Sequence, residues 1–432
     1  MDWNRLPATA KLRILHLFVT SSSDVDADKV ITVCKEWHDS IEAIERKMFT
    51  SVEEQYFSGS VRRRSMLKHL RLNIAVHDDS FSRRRDWLLW WEYGAEVIPM
   101  LDFIRTWEDN GNLRHRYSIC LELSNFPWNG KTISDRHNIG LTRDLWRWGK
   151  QPPLDPFEPV YSITKVAVPQ ENHINFCEDT LSKLFLSLPR LSHIHLETEN
   201  RTWNFQQFTE PKLTVAFQEL PPWVKSINII QHGEGTDKSN RWERETFCDL
   251  ATAVVARSRF LEELALVDLI EAYHFVKGAV KLQPQTWDNL QYLTLTSDLL
   301  LRDDLLGPPT ALTRERQDAS VKVLLDEAAV AIVGMPVLRI MEIFNASDRS
   351  AAFFNYEAAN GSAMCLWSST YQFTVPWTTK QRWMRANEKK GIWLNVYPEV
   401  FVPDYSGDAR AEFVNSRLSA RKRAHRDELL WT

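Results

Sequence analysis

Residues 180–197 read Thr-Leu-Ser-Lys-Leu-Phe-Leu-Ser-Leu-Pro-Arg-Leu-Ser-His-Ile-His-Leu-Glu, and their apolar period changes halfway along. Leu181, Leu184, Phe185 and Leu188 fall on one face of a helix. Pro189 stops that helix, because it has no N–H to continue the ladder. Ile194 and Leu196 then alternate at period two, which turns both toward one side of a strand. The stretch predicts a helix, a tight turn and a short strand. Leu188, Leu191, Ile194 and Leu196 also form a pattern: apolar residues three, three and two positions apart.

Copies of that pattern recur along the chain. They stand at Val224, Ile227 and Ile229, at Leu261, Leu264 and Leu266, at Trp287, Leu290, Leu293 and Leu295, and at Met335, Leu338, Met341 and Ile343. Fainter copies fall at Leu67, Leu70 and Leu72, at Ile119 and Leu121, and at Ile163, Val166 and Val168. Helical stripes precede two of the strong copies: Phe247, Leu250, Ala251, Val254 and Val255 in one case, Val321, Leu324, Leu325, Ala328 and Ile332 in the other. Gly334 and Pro336 follow the second stripe, where a helix end favours a positive φ and then a stop. One such unit buries neither of its apolar faces alone, so copies stack. The inner residues 196, 229, 266, 295 and 343 are 33, 37, 29 and 48 positions apart, longer and less regular than the roughly 20–29 of ordinary leucine-rich repeats. The expected fold is an irregular, leucine-rich-repeat-like α/β solenoid with a parallel sheet. The alternative is a doubly wound α/β sheet, which also alternates helices and strands.

Composition narrows the function classes. The 432 residues carry 53 basic and 57 acidic side chains, a formal charge of −4, which gives no overall pull toward nucleic acid. Only 14 glycines occur, about 3% against a usual figure near 7%, which weighs against glycine-rich phosphate loops and tight hairpins. Eighteen tryptophans suggest broad packing surfaces. The five cysteines form no CxxC pair, so a zinc ribbon is excluded by spacing. No long apolar run opens the sequence, and residues 321–338 are interrupted by Asp326, Glu327 and Pro336. A reduced, intracellular protein with no membrane span is expected.

The first fifty residues hold two short helical patterns. Leu6-Pro7 opens a stretch with Leu12, Ile14, Leu15, Phe18 and Val19; residues 21–28 are polar; Val33-Cys34-Lys35-Glu36-Trp37 follows. Helices this short with so many apolar residues need a partner or the following domain to fold. Leu6-Pro7, Ile14-Leu15 and the stretch from Val33 to Trp37 resemble an F-box, although Ala8 and Thr9 stand where that family commonly has an acid. Residues 335–345, followed by Trp367 and Trp377, resemble the C-terminal region of a fungal group of F-box-like proteins.

The resemblance implies an F-box-like adaptor-binding module over residues 1–50; the recurring pattern assigns the repeat domain to 51–403, and clustered prolines and tryptophans mark an insertion around 125–169. A charged helix or tail over 404–432 would complete the chain. The resemblance further implies that Leu6, Pro7, Leu12, Ile14, Leu15, Val33, Cys34 and Trp37 bind the Skp adaptor of a cullin-containing SCF ubiquitin ligase. The repeat domain would hold a protein substrate, in the cytoplasm or nucleus. These helices could instead simply cap an open end of the solenoid.

Motifs for covalent chemistry are lacking. Asp24, Asp26 and Asp28 begin like a calcium loop, but Lys29 and Lys35 occupy the places of the required glycine and glutamate. His193, His195 and Glu197 share a strand face but have no second cluster to complete a metal site. Gly233-Glu-Gly235 reads as a turn, and the short arginine runs at 62–64 and 83–85 read as solvated faces. No nucleophile elbow or P-loop occurs. No catalytic residue, cofactor or metal is expected. Substrate binding is assigned to strand positions that alternate with the buried ones: His193, His195 and Glu197; Ser226 and Asn228; Glu263; Thr294 and Thr296; Glu342 and Phe344. The competing expectations are a repeat scaffold with no ligase link and an enzyme whose site has no recognisable motif.

Overall fold

In four of the units a three-residue turn leads into the strand. Leu191 N donates to Leu188 O at 2.9 Å, Val224 N to Pro221 O at 3.1 Å, Leu261 N to Ser258 O at 3.2 Å and Leu338 N to Met335 O at 3.3 Å. The computed structural model describes residues 69–76, 101, 104–106, 108, 118–127, 158–168, 184–199, 210–232, 247–300 apart from 283 and 285, 311–346 and 351–401. The F-box-like stretch and the charged tail lie outside the described residues, as does most of the insertion.

Among the described residues, twelve strands form one sheet: β1 (His69–Val76), β2 (Ile119–Pro127), β3 (Ile163–Val168), β4 (His193–Glu199), β5 (Ser226–His232), β6 (Glu263–Glu271), β7 (Tyr292–Thr296), β8 (Ile340–Ala346), β9 (Ala351–Ala359), β10 (Ser362–Ser369), β11 (Trp393–Val396) and β12 (Val400–Phe401). The described helices are α1 (Glu210–Glu219), α2 (Phe247–Ser258), α3 (Ala272–Lys281), α4 (Ala311–Ala331) and α5 (Trp377–Lys389). From β1 to β8 every strand lies parallel to the next one in sequence. A doubly wound sheet reverses its strand order at a switch point; here the order runs on without reversal to β11, as in a stack of units.

A recurring backbone contact fixes the register. Ser192 O accepts from both Lys225 N and Ser226 N at 2.8 and 3.0 Å, and Lys225 O from Glu262 N and Glu263 N at 2.7 and 3.1 Å. Glu262 O and Gln291 O repeat the arrangement with the next two units. His193, Ser226, Glu263, Tyr292 and Ile340 consequently stand in one row across the sheet.

The apolar pattern is the core. Leu191, Ile194, Val224, Ile227, Leu261, Leu264, Leu290, Leu293, Leu338 and Met341 are buried in one cluster with Val254 of α2, Phe275 of α3 and Leu324 of α4. Each such side chain contributes about 1.5–3 kcal/mol on burial. Ile229 is only half-buried against this cluster. Helices α2 and α3 approach closely at Gly278, where an added Cβ would stand 3.1 Å from Val255 Cγ2.

Two expectations need correction. Gly334 has no positive φ, since the glycines that do are Gly361 and Gly391 among the described residues. Helix α4 instead tightens into a 3-10 turn, Ile332–Gly334, in which Met335 N donates to Ile332 O at 3.0 Å. That shorter bond satisfies an end carbonyl without a left-handed residue. The sheet is also not wholly parallel. β9 runs antiparallel to β8 and β10, and a tight hairpin joins β9 to β10 through Asn360 (φ 52°) and Gly361 (φ 78°). Helix α5 then covers this hairpin: the Trp383 ring packs 4.9 Å from Phe354 and 5.4 Å from Tyr356, centroid to centroid, and its Nε1 donates to Leu325 O at 3.0 Å.

Candidate functional site

The sheet's outer face, opposite the helix-packed core, carries the residues singled out in the sequence. Strand alternation places them in three rows. The first holds Lys165, His193, Ser226, Glu263, Tyr292, Ile340 and Glu357. The second holds Ala167, His195, Asn228, Ala265, Thr294, Glu342 and Asn355. Glu197, Ile230 and Val267 begin the third, and Thr296, Phe344 and Phe353 continue it.

The expectation that all these positions are open is corrected. Phe344 is 1% exposed and packs with Ile230, Val267 and Phe353 in a second apolar cluster. Thr294, Thr296, Glu197 and Ser226 are buried as well. Alternation assigns a side chain to a face but says nothing of what covers that face, and a row this apolar is driven to burial. The first two rows are mixed: Ser226, Asn228, Ala265 and Thr294 are buried, whereas His193, His195, Glu263, Tyr292, Glu342, Asn355 and Glu357 are half-buried.

Hydrogen bonds link several of these side chains. His193 Nδ1 lies 2.7 Å from Ser192 Oγ, and His195 Nε2 lies 2.8 Å from Glu197 Oε1. Ser226 Oγ donates to Glu263 Oε2 and Thr294 Oγ1 to Glu342 Oε2, both at 3.1 Å. His195 Nδ1, Asn228 Oδ1 and Asn355 Oδ1 are buried without a hydrogen-bond partner. All three belong to the second row. Asn355, Tyr292, Glu357 and Lys165 were not singled out in the sequence. Alternation along residues 351–359 would have found Asn355 and Glu357, but only after the hairpin had been read.

Two other features lie at the ends of strands and under α5. The pairing of β6 with β7 jumps from Leu266↔Leu295 to Glu271↔Thr296, so residues 267–270 bulge. Asp268 in the bulge takes a φ of 58°, and its N–H donates to Thr296 Oγ1 at 2.7 Å. Glu271 caps α3 and accepts from Ser297 Oγ and, at 3.0 Å, from Asp298 N. Burial pushes its carboxyl up to about 8, against the hydrogen bond from Ser297 and helped by the charge of Asp298. This acid ties the bulge, α3 and the end of β7 together. Beneath α5, Cys365, Trp367, Trp383 and Val396 line a cavity of about 20 Å³, room for about one water and too small for a substrate.

Among the described residues, no three His, Cys, Asp or Glu side chains are grouped to hold a metal ion, and no helix is long and apolar enough to cross a membrane. Residues 215–415, from within α1 to beyond β12, match a protein family of unknown function, DUF6546. No curated protein matches the chain.

Proposed function

We propose that the chain is a recognition protein that holds a protein segment on the outer face of its sheet, and that it serves as the substrate-recognition subunit of an SCF-type ubiquitin ligase. The observation that carries the recognition half is the second row. A buried polar atom left unsatisfied costs about 1–3 kcal/mol, and native structures keep few of them. His195, Asn228 and Asn355 supply three on one row of one face. Such a row is accounted for by a partner that supplies the missing hydrogen bonds.

The ligase half rests on the resemblance of residues 1–50 to an F-box. A receptor of this kind performs no covalent step. It raises the local concentration of substrate beside the ligase's charged carrier, which is a proximity effect. The adaptor would be held by burying Leu6, Pro7, Leu12, Ile14, Leu15, Val33, Cys34 and Trp37. One buried aliphatic or indole anchor is worth about 1.5–3 kcal/mol, and about 1.4 kcal/mol is a tenfold change in affinity.

Co-purification of the full chain with the Skp adaptor and cullin tests this half. Leu6→Ala, Pro7→Ala and Trp37→Ala are each expected to weaken adaptor retention about tenfold or more, with the circular dichroism of the sheet unchanged. Retention that survives the triple substitution would overturn the role of these residues, and no adaptor retained by the unaltered full chain would sink the ligase reading. In that second case the outer face is read as the binding surface of a non-catalytic scaffold with no ligase link.

A further inference from the structure

Between β4 and β9 the outer face presents carboxylates and unpaired amide oxygens, which call for donors. His195 Nε2 stands 2.8 Å from Glu197 Oε1; in the tautomer whose Nε2–H donates to that carboxylate, Nδ1 is an acceptor. The unsatisfied atoms of Asn228 and Asn355 are amide oxygens, acceptors by nature. Asn228 is 9% exposed and stands in register between His195 and Ala265, so its oxygen is enclosed yet unpaired. The hydroxyl protons of Ser226 and Thr294 are already directed to Glu263 and Glu342. Charge points the same way. Strands β4–β10 contain no lysine or arginine, while Glu263, Glu342 and Glu357 are carboxylates on this face.

We propose that the strip from β4 to β9 takes an extended segment of a partner protein whose arginine or lysine side chains supply the missing donors. This rests on the recognition half of the proposed function and adds the chemistry of the occupant. A guanidinium carries five N–H donors in a planar fork and no acceptor. It suits His195 Nδ1 and Asn228 Oδ1, which belong to neighbouring strands, about 4.8 Å apart. Asn355 stands four strands beyond Asn228 in the sheet order, a span of about 19 Å. An extended segment crosses that distance in about six residues, at roughly 3.3 Å each. The occupant carries two basic residues about six positions apart and lies across the strands. An acidic or phosphorylated segment would set acceptors against acceptors.

Random dodecapeptides displayed on phage, selected against the immobilised full chain, test the inference. Arginine and lysine are expected to be enriched several-fold over aspartate and glutamate, with pairs of basic residues spaced about six apart. Asn228→Leu and Asn355→Leu should lower affinity for a selected peptide about tenfold, with thermal midpoints no lower than that of the wild type. Asn355→Asp keeps the shape and adds negative charge, so it should bind the same peptide more tightly. Enrichment of acidic sequences, no enrichment at all, basic peptides bound equally by both leucine variants, or weaker binding by Asn355→Asp overturns the inference. The adaptor takes no part in the selection, so the ligase reading and this inference fail on separate readouts.

Discussion

Glu271 holds its proton in the folded chain up to a pH of about 8, whereas an unfolded glutamate releases it near 4.3. Between those values the unfolded chain loses a proton that the folded chain keeps, so stability falls as pH rises through that window and levels off above about 8. Glu271→Gln keeps the shape and cannot ionise. Relative to this variant, the wild type is expected to lose about 4 kcal/mol between pH 4.5 and 8, read from urea midpoints at the two ends. An unchanged difference between the two proteins would show that Glu271 ionises in the fold as it does in solution. Nothing in the sequence marks this residue. Its state depends first on burial, at a bulge that also sets Asp298 beside its carboxyl, and no local pattern announces a bulge. His195 and Asn228 were legible as a pair on one face because period two is local. Their lack of partners was not, since it depends on which neighbouring strands arrive and with what side chains.

Among the elements, the hairpin between β9 and β10 shows how a global count can mislead. Scarce glycine argues against hairpins in general, but one turn needs one glycine. Asn360-Gly361 lies between two runs of alternating burial, and asparagine followed by glycine is the strongest short hairpin signal a sequence carries, because both central residues need a positive φ. An added Cβ at Gly361 meets nothing within 4 Å, so substitution there acts through backbone conformation alone. Gly361→Ala is expected to cost about 1 kcal/mol and Gly361→Val more, while Asn360→Gly stays near neutral. Thermal melts read each kcal/mol as a shift of about 2–4 °C in a domain of this size. A neutral Gly361→Val would mean that the turn adopts another geometry. The helix-turn-strand units were read more faithfully than this hairpin, because each carries its own apolar period. Where a unit ends was not: α4 closes with a 3-10 turn at Gly334, and a glycine after a helix signals a stop without saying which kind.

Across the whole molecule, strand order was legible because the same pattern repeats and each copy needs a neighbour, and that logic also dictates how stability is distributed. In a stack, a unit contacts the units before and after it, and a lesion spreads through those contacts. Trp287 is the sharpest probe of this. It is fully buried in the turn before β7. Its Nε1 donates at 2.8 Å to Ser258 Oγ, at the end of α2, and its backbone N–H donates at 2.8 Å to Gly334 O, in the turn that closes α4 before β8. Trp287→Ala removes the ring and both its packing neighbours' support, a loss of about 3–5 kcal/mol. Trp287→Phe keeps most of the packing and deletes the indole hydrogen bond, a loss of about 1 kcal/mol. Amide hydrogen exchange on the alanine variant is expected to show protection falling most in β6, β7 and β8, less in β4 and β5, and least in β10 and α5. The phenylalanine variant should show the same gradient at smaller amplitude. Equal loss of protection in every strand would mean that the sheet opens as one cooperative unit, and the neighbour-by-neighbour account would fall with it.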